Sequence, residues 1–171
     1  MNLTLILTRH CKSDWGSPLL DDHDRPLNPR GMHDAPRIGA WLASEGFVPH
    51  SADISSARRT QETWAGITRG LGPGSGSTPV AVTRALYHAT PAAILGHVRD
   101  ADSACHMIVG HNPGIAEAAS RLLTTPPDHP RFHDFPTGAT LILDIGPSDW
   151  PDVEWGGAQL LAFVTPHDLP G

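Results

Sequence analysis

Apolar residues along this chain fall into short blocks separated by polar, glycine-rich or proline-rich stretches. Continuous blocks at residues 3–7 (LTLIL), 52–55, 80–83, 106–109, 139–145 and 159–164 predict strands, several of them buried. Helical spacing appears between them. Ile38, Trp41 and Leu42 recur on one face of a segment that opens at Asn28-Pro29, with Asn as N-cap and Pro at the first helical position, and runs to about residue 44. Residues 57–70 predict a second helix closed by Gly70, residues 91–100 a third, and a fourth follows Pro113 to about residue 123. The stretch LGPGSGSTP reads as a flexible surface linker, without the Gly-Lys-Ser/Thr of a nucleotide-binding loop. Residues 124–138 read as a proline-rich loop.

Strands alternating with helices predict a layered α/β sheet, and 171 residues suit one domain spanning 1–171. Ligands in such sheets bind beyond the carboxyl ends of the strands. Three short stretches stand there: Arg9-His10, Ser55 to Arg59, and His111. Each follows an apolar block, so the three are expected to meet in space.

Composition narrows the partners. The formal net charge of −6 disfavours nucleic acid or an anionic membrane surface as the main partner. The first apolar block is too short for a signal peptide or a membrane span, and no basic segment precedes it. A cytoplasmic, monomeric protein is the expectation. Cys11 and Cys105 are too few for a disulfide scaffold. Lys12 is the only lysine, so positive charge is almost entirely arginine, whose planar fork suits phosphate and carboxylate.

The stretch TRHCKS, residues 8–13, offers two nucleophiles side by side. A cysteine phosphatase closes its phosphate loop with an arginine, which here would stand at position 17; Ser17 occupies it. Cys11 therefore reads as a small packing residue. The histidine alternative is better supported. His10 and His111, with Arg9 and one or both of Arg58 and Arg59, would form a dianion pocket at one sheet edge. A neutral imidazole there can attack phosphorus in line and form a phosphoenzyme that water hydrolyses.

The segments LTRHCKSDW, DRPLNPRGMHDA, SSARRTQET, LYHATP, VGHNPG, FPTGA and FVTPHDL together resemble the histidine phosphatase superfamily, more narrowly its small SixA-type phosphohistidine phosphatases. The resemblance runs nearly end to end. It implies a phosphoglycerate-mutase-like three-layer α/β/α sandwich with a mostly parallel central sheet and no large lid. It implies His10 as the nucleophile, with Arg9, Arg59 and His111 holding the phosphoryl oxygens and Ser13 assisting. Arg59 rather than Arg58 matches the pattern Ser55, Ala57, Arg59, Thr63. It also implies a metal-independent, cofactor-free phosphatase acting on phosphohistidine of a protein. The alternatives are a small-molecule phosphomonoesterase and a non-catalytic phosphate-binding module. A metal-binding, histidine-rich protein is a further class, disfavoured because the histidines lack close paired spacing.

Three departures stand out. Cys11 replaces the usual Gly or Ala, Gly16 stands where larger relatives carry Asn, and no acidic general acid is evident. His88 and Asp14 are the candidates for that role. A missing acid would suit labile phosphoramidates better than alkyl esters. Among the remaining polar features, DDHD at 21–24 reads as a solvated loop in which Asp22 or Asp24 could neutralise an arginine. Arg25, Arg30 and Lys12 read as rim residues. The tryptophans read as core or groove, with Trp15 best placed for substrate. His23, His129, His133 and His167 read as exposed.

Overall fold

The computed structural model describes residues 2–171. In chain order the elements are β1 (Leu3–Arg9), α1 (Pro29–Glu45), β2 (Ser51–Ser55), α2 (Arg58–Leu71), β3 (Val80–Thr83), α3 (Pro91–Arg99), β4 (Cys105–Gly110), α4 (Gly114–Leu122), β5 (Thr140–Gly146) and β6 (Gln159–Val164). They form a six-stranded sheet in the order β3-β2-β4-β1-β5-β6. The ladders β3–β2, β2–β4 and β4–β1 are parallel, and β5 alone runs opposite to the other five strands. The sheet is thus mostly parallel, as the resemblance implies.

Alternation along the strands sorts the core into two layers. Leu5, Leu7, Ile108, Leu141 and Leu143 pack with residues of α3 and α4. Ile6, Met107, Val109 and Ile142 pack on the other face with residues of α1 and α2. These central strands are buried on both faces, which is why they read as continuous apolar blocks. The chain leaves β1 through α1 on one face and leaves β4 through α4 on the other. Because β1 and β4 are neighbours, a crevice opens beyond their carboxyl ends.

The Asn28 cap is present: its side chain accepts from the Gly31 N–H at 2.9 Å, with Pro29 opening the helix. β1 extends past residue 7 to Arg9, which places that arginine at the very edge of the sheet. The LGPGSGSTP stretch contains a 3-10 turn at Ser75–Ser77. Gly70 does not end α2. A Cβ on Gly70 would stand 1.9 Å from the Pro36 carbonyl oxygen, and one on Gly39 would stand 2.0 Å from that of Ile67. These glycines let the backbones of α1 and α2 touch, and the helix runs on to Leu71, with Gly72 as its C-cap. Among the described residues, no helix is long and apolar enough to cross a membrane.

The contact predicts opposite signs for two glycine substitutions. Gly70→Ala forces the two helices apart and is expected to cost roughly 1–3 kcal/mol. Gly96→Ala in α3, where a Cβ meets nothing within 4 Å, is expected to stabilise by about 0.5–1 kcal/mol. Denaturant unfolding of both variants checks the pair; a neutral Gly70→Ala would refute the close-packing account.

Candidate active site

The end of β1 sets the first residues of the site. Arg9 pairs in register with Gly110 of β4, and the His10 N–H donates to the Gly110 carbonyl at 3.1 Å. His10 and His111 therefore leave adjacent strand ends, with ring centroids 5.3 Å apart. His10 Nδ1 lies 2.7 Å from the Cys11 carbonyl oxygen. That contact requires a proton on Nδ1 and leaves Nε2 with its lone pair. Burial, opposed by the Cys11 carbonyl and reinforced by the charges of Arg59, Arg9 and Arg25, pulls the His10 pKa down to about 3. The imidazole is neutral at physiological pH.

Arg59 stands on the first turn of α2, only 2% exposed. Its Nη1 donates to the Asp22 carbonyl at 2.7 Å, and its Nη2 to Asp22 Oδ2 at 3.0 Å and to His111 Nδ1 at 3.3 Å. With Nδ1 accepting, His111 carries its proton on Nε2 and donates to Ser55 Oγ, at 2.7 Å, at the end of β2. Burial, then the neighbouring His10, Arg59 and His88, against the opposing Asp22 charge, takes the His111 pKa to about 2. Three parallel strands thus each supply a side chain to one point.

The loop between β1 and α1 closes the site from above. Within the DDHD segment Asp22–Asp24 form a 3-10 turn, and Asp21, Asp22 and Asp24 are solvent-exposed as expected. The Asp22 carboxylate accepts from Arg25 Nη2 and from the Tyr87 hydroxyl, and lies 3.0 Å from His88 Nε2. Against partial desolvation, hydrogen bonds from Tyr87, His88 and Arg59 hold the Asp22 carboxyl well below the ordinary carboxylate range. Asp22 is therefore an internal anion on the basic residues. Arg25 is buried rather than at the rim, and its guanidinium lies 3.5 Å over the Trp15 ring.

Several N–H donors in this cluster have no protein partner: Nε of Arg9, Arg25 and Arg59, and Nη1 of Arg25. Buried donors of this kind call for an acceptor. The arginines that carry them line a cavity with a volume of about 300 Å3. Arg9, His10, Ser13, Arg25, Arg59 and His111 line it, together with Asp22, Trp15 and His88.

Of the sequence-derived residues, Arg9, His10, Ser13, Arg59, His111 and His88 converge on this cavity, and Lys12 reaches its wall. Asp14 does not line it; its Oδ1 accepts from the Gly16 N–H at 2.7 Å and shapes the loop. His88 holds a left-handed backbone with φ 50°, rare for a residue with a side chain. Its ring packs between those of Tyr87 and His111, with centroids 4.3 and 4.9 Å away. Cys11 points into the core with no exposure, and burial and the Asp34 charge push its thiol up to about 12. Trp15 is exposed at the cavity mouth, whereas Trp150 is core. His23 and His129 are half-buried, the first 2.8 Å from Ser56 Oγ and the second 2.8 Å from Asp168 Oδ2. His133 and His167 are exposed as expected. Among the described residues no cluster of His, Cys, Asp and Glu could hold a metal ion.

Sequence reasoning passed over Tyr87 and the role of Ser55; of the two carboxylates it offered to neutralise an arginine, Asp22 does so, with Arg25 and Arg59. The Asp22–Arg25 spacing was the one local signal for that pair.

The model of the histidine phosphatase superfamily (branch 1) matches residues 5–89. An uncharacterised protein of Mycobacterium tuberculosis is 30% identical over 166 residues, covering 93% of this chain and 99% of its own. A Nakamurella multipartitia protein, described as a candidate phosphohistidine phosphatase SixA, superposes with a TM-score of 0.77 at 29% identity, covering 97% of both chains. The protein histidine phosphatase SixA complexed with tungstate has the same fold, with a TM-score of 0.77 at 16% identity over 97% of this chain and 99% of its own. The sheet order, the sequence relatives and the family model agree: this chain belongs to the histidine phosphatase superfamily and is a phosphatase of SixA-like fold.

Proposed function

We propose that this protein hydrolyses phosphohistidine on a protein through a covalent intermediate on His10. The observation that carries the reading is a neutral, buried imidazole with a free Nε2, ringed by buried guanidinium N–H groups that lack partners. Nε2 attacks phosphorus while Arg9, Arg59 and Arg25 bind the equatorial oxygens, with His111 and Ser13 beside them. The bond from phosphorus to the leaving nitrogen breaks as the bond to Nε2 forms. Water then displaces phosphate and restores the neutral His10. The Cys11 carbonyl, by accepting from Nδ1, stabilises the positive charge that the ring gains during attack.

Substrate class follows from proton supply. An alkoxide must be protonated as it leaves, whereas phosphohistidine departs as neutral imidazole when its distal nitrogen already carries a proton. Among the described residues, the one carboxyl lining the cavity, Asp22, is held ionised, and His88 on the same wall is tied to it. His88 is the donor we assign, with Asp22 orienting it. With His88 Nε2 already engaged by Asp22 and that carboxyl held ionised, proton supply is weak, which favours phosphoramidates and activated aryl phosphates over sugar phosphates.

Rapid mixing with a labelled phosphohistidine protein and a millisecond quench tests the intermediate. The label should be acid-labile and alkali-stable, kept in Cys11→Ser and abolished in His10→Ala, with kcat/KM of the latter down by on the order of a thousandfold or more. A label that follows Cys11 would overturn the mechanism. Comparable kcat/KM on sugar phosphates would overturn the substrate class.

The histidines also set an acid limit on stability. The folded pKa of His10, about 3, lies below the 6.5 of an ordinary histidine. Between those values the unfolded chain binds a proton that the folded chain does not, so stability is full above pH 6.5 and falls as pH drops towards 3. Urea unfolding from pH 7 to pH 4 should show a shallower loss in His10→Gln than in wild type. Equal slopes would refute a neutral His10.

A further inference from the structure

Beside the catalytic cavity lies a second, larger one of about 440 Å3. Arg9, Lys12 and Thr137 line both, so the two share a wall. The charged side chains of this annex, apart from the titratable His167, are Arg9, Lys12, Arg30 and Arg131 against Asp34 and Asp134. A positive excess here is notable in a chain whose formal net charge is −6.

The two carboxylates are already engaged. Asp34 is buried; its Oδ1 accepts from Arg37 Nη1 at 2.8 Å, and its Oδ2 lies 3.7 Å from Arg30 Nε. Asp134 accepts from Arg131 Nε at 2.9 Å. Among the described residues, neither Lys12 nor Arg9 has a carboxylate partner. The Nε of Arg9, on the shared wall, is buried without any partner. Like charges gathered on one concave surface repel one another until an anion enters, and a cleft lined by one sign of charge concentrates the opposite sign.

We propose that the annex is a second anion site for the same substrate. It receives a carboxylate or phosphate tethered to the phosphoryl group that occupies the catalytic cavity. This rests on the phosphatase reading of that cavity. The tethered anion is either an acidic side chain flanking the phosphohistidine of a protein or a second acidic group on a small phosphorylated molecule.

Calorimetric binding of alkylphosphonates, with and without a terminal carboxylate and over a series of chain lengths, reads the site without turnover. At low salt the best carboxylated member should bind about three- to tenfold more tightly than its methyl-ended counterpart. The advantage should vanish in the double variant Arg30→Gln, Arg131→Gln and grow in Asp134→Asn. The double variant should turn over a small activated aryl phosphate within about twofold of wild type.

Two further arms separate the sources of the anion. Faster hydrolysis of phosphohistidine peptides with Asp or Glu flanks than of peptides with Asn or Gln flanks supports a protein source. Equal rates on those peptides, with the phosphonate preference intact, support a small-molecule source. Equal affinity of the two phosphonate series in wild type, or a preference that survives the double variant, would overturn the annex. Absence of a phosphoenzyme with annex binding intact would instead strike the catalytic reading.

Discussion

The structure depends on keeping three arginines and two histidines packed together at one sheet edge without losing the neutrality of the imidazoles. Desolvation and mutual repulsion both work against such a cluster. The fold answers with fixed acceptors: the Phe135 carbonyl for Arg9, the Asp22 carbonyl and carboxylate for Arg59, and the same carboxylate for Arg25. The imidazoles yield instead. Their pKa values fall, and each shows a defined face to its neighbours because its other nitrogen is already engaged.

Topology makes that cluster possible at little local cost. Adjacent parallel strands end at the same level, so His10 and His111 arrive side by side by register alone. α2 begins a few residues after β2 and brings Arg59 in on its first turn. The loop after His10 is fixed by α1: the Asn28 N–H donates to the Lys12 carbonyl at 3.0 Å, and a Cβ on Gly31 would stand 2.2 Å from that oxygen. The RPLNPRG segment thus holds the backbone two residues beyond His10. In the mechanism proposed, this rigidity keeps Nε2 aimed while the loop above it changes partners.

What the sequence made legible was whatever the strand ends carry. Arg9, His10, Ser55 and His111 each sit where an apolar block stops, and block ends survive small errors in element boundaries. Asp22 was not legible in this way. Its partners stand at positions 25, 59, 87 and 88, so its role exists only once three separate segments have packed. Arg25 read as a rim residue for the same reason; its guanidinium stacks on Trp15 and is held by the turn that Asp22 begins. Gly70 misled because a glycine near a helix end reads locally as a stop, whereas here a neighbouring backbone requires it. His88 was legible as a candidate proton donor, but its left-handed backbone and its contact with Asp22 appear only in the fold.

In the mechanism proposed, the Asp22 carboxylate makes anion binding at this site partly an exchange and not a simple addition. Among the described residues, Nε of Arg25 and Arg59 and Nη1 of Arg25 are free, but Nη2 of each arginine is held by a tethered carboxylate that also accepts from Tyr87. In that mechanism, a phosphoryl group that takes those Nη2 donors must displace it. Net affinity for any phosphate is then the small difference between two large attractions. The same exchange run backwards lets the carboxylate return as free phosphate departs. A pocket basic enough to stabilise a transferring phosphoryl group would otherwise hold its product tightly. The tethered anion separates the strength of the cationic field from the residence time of the product.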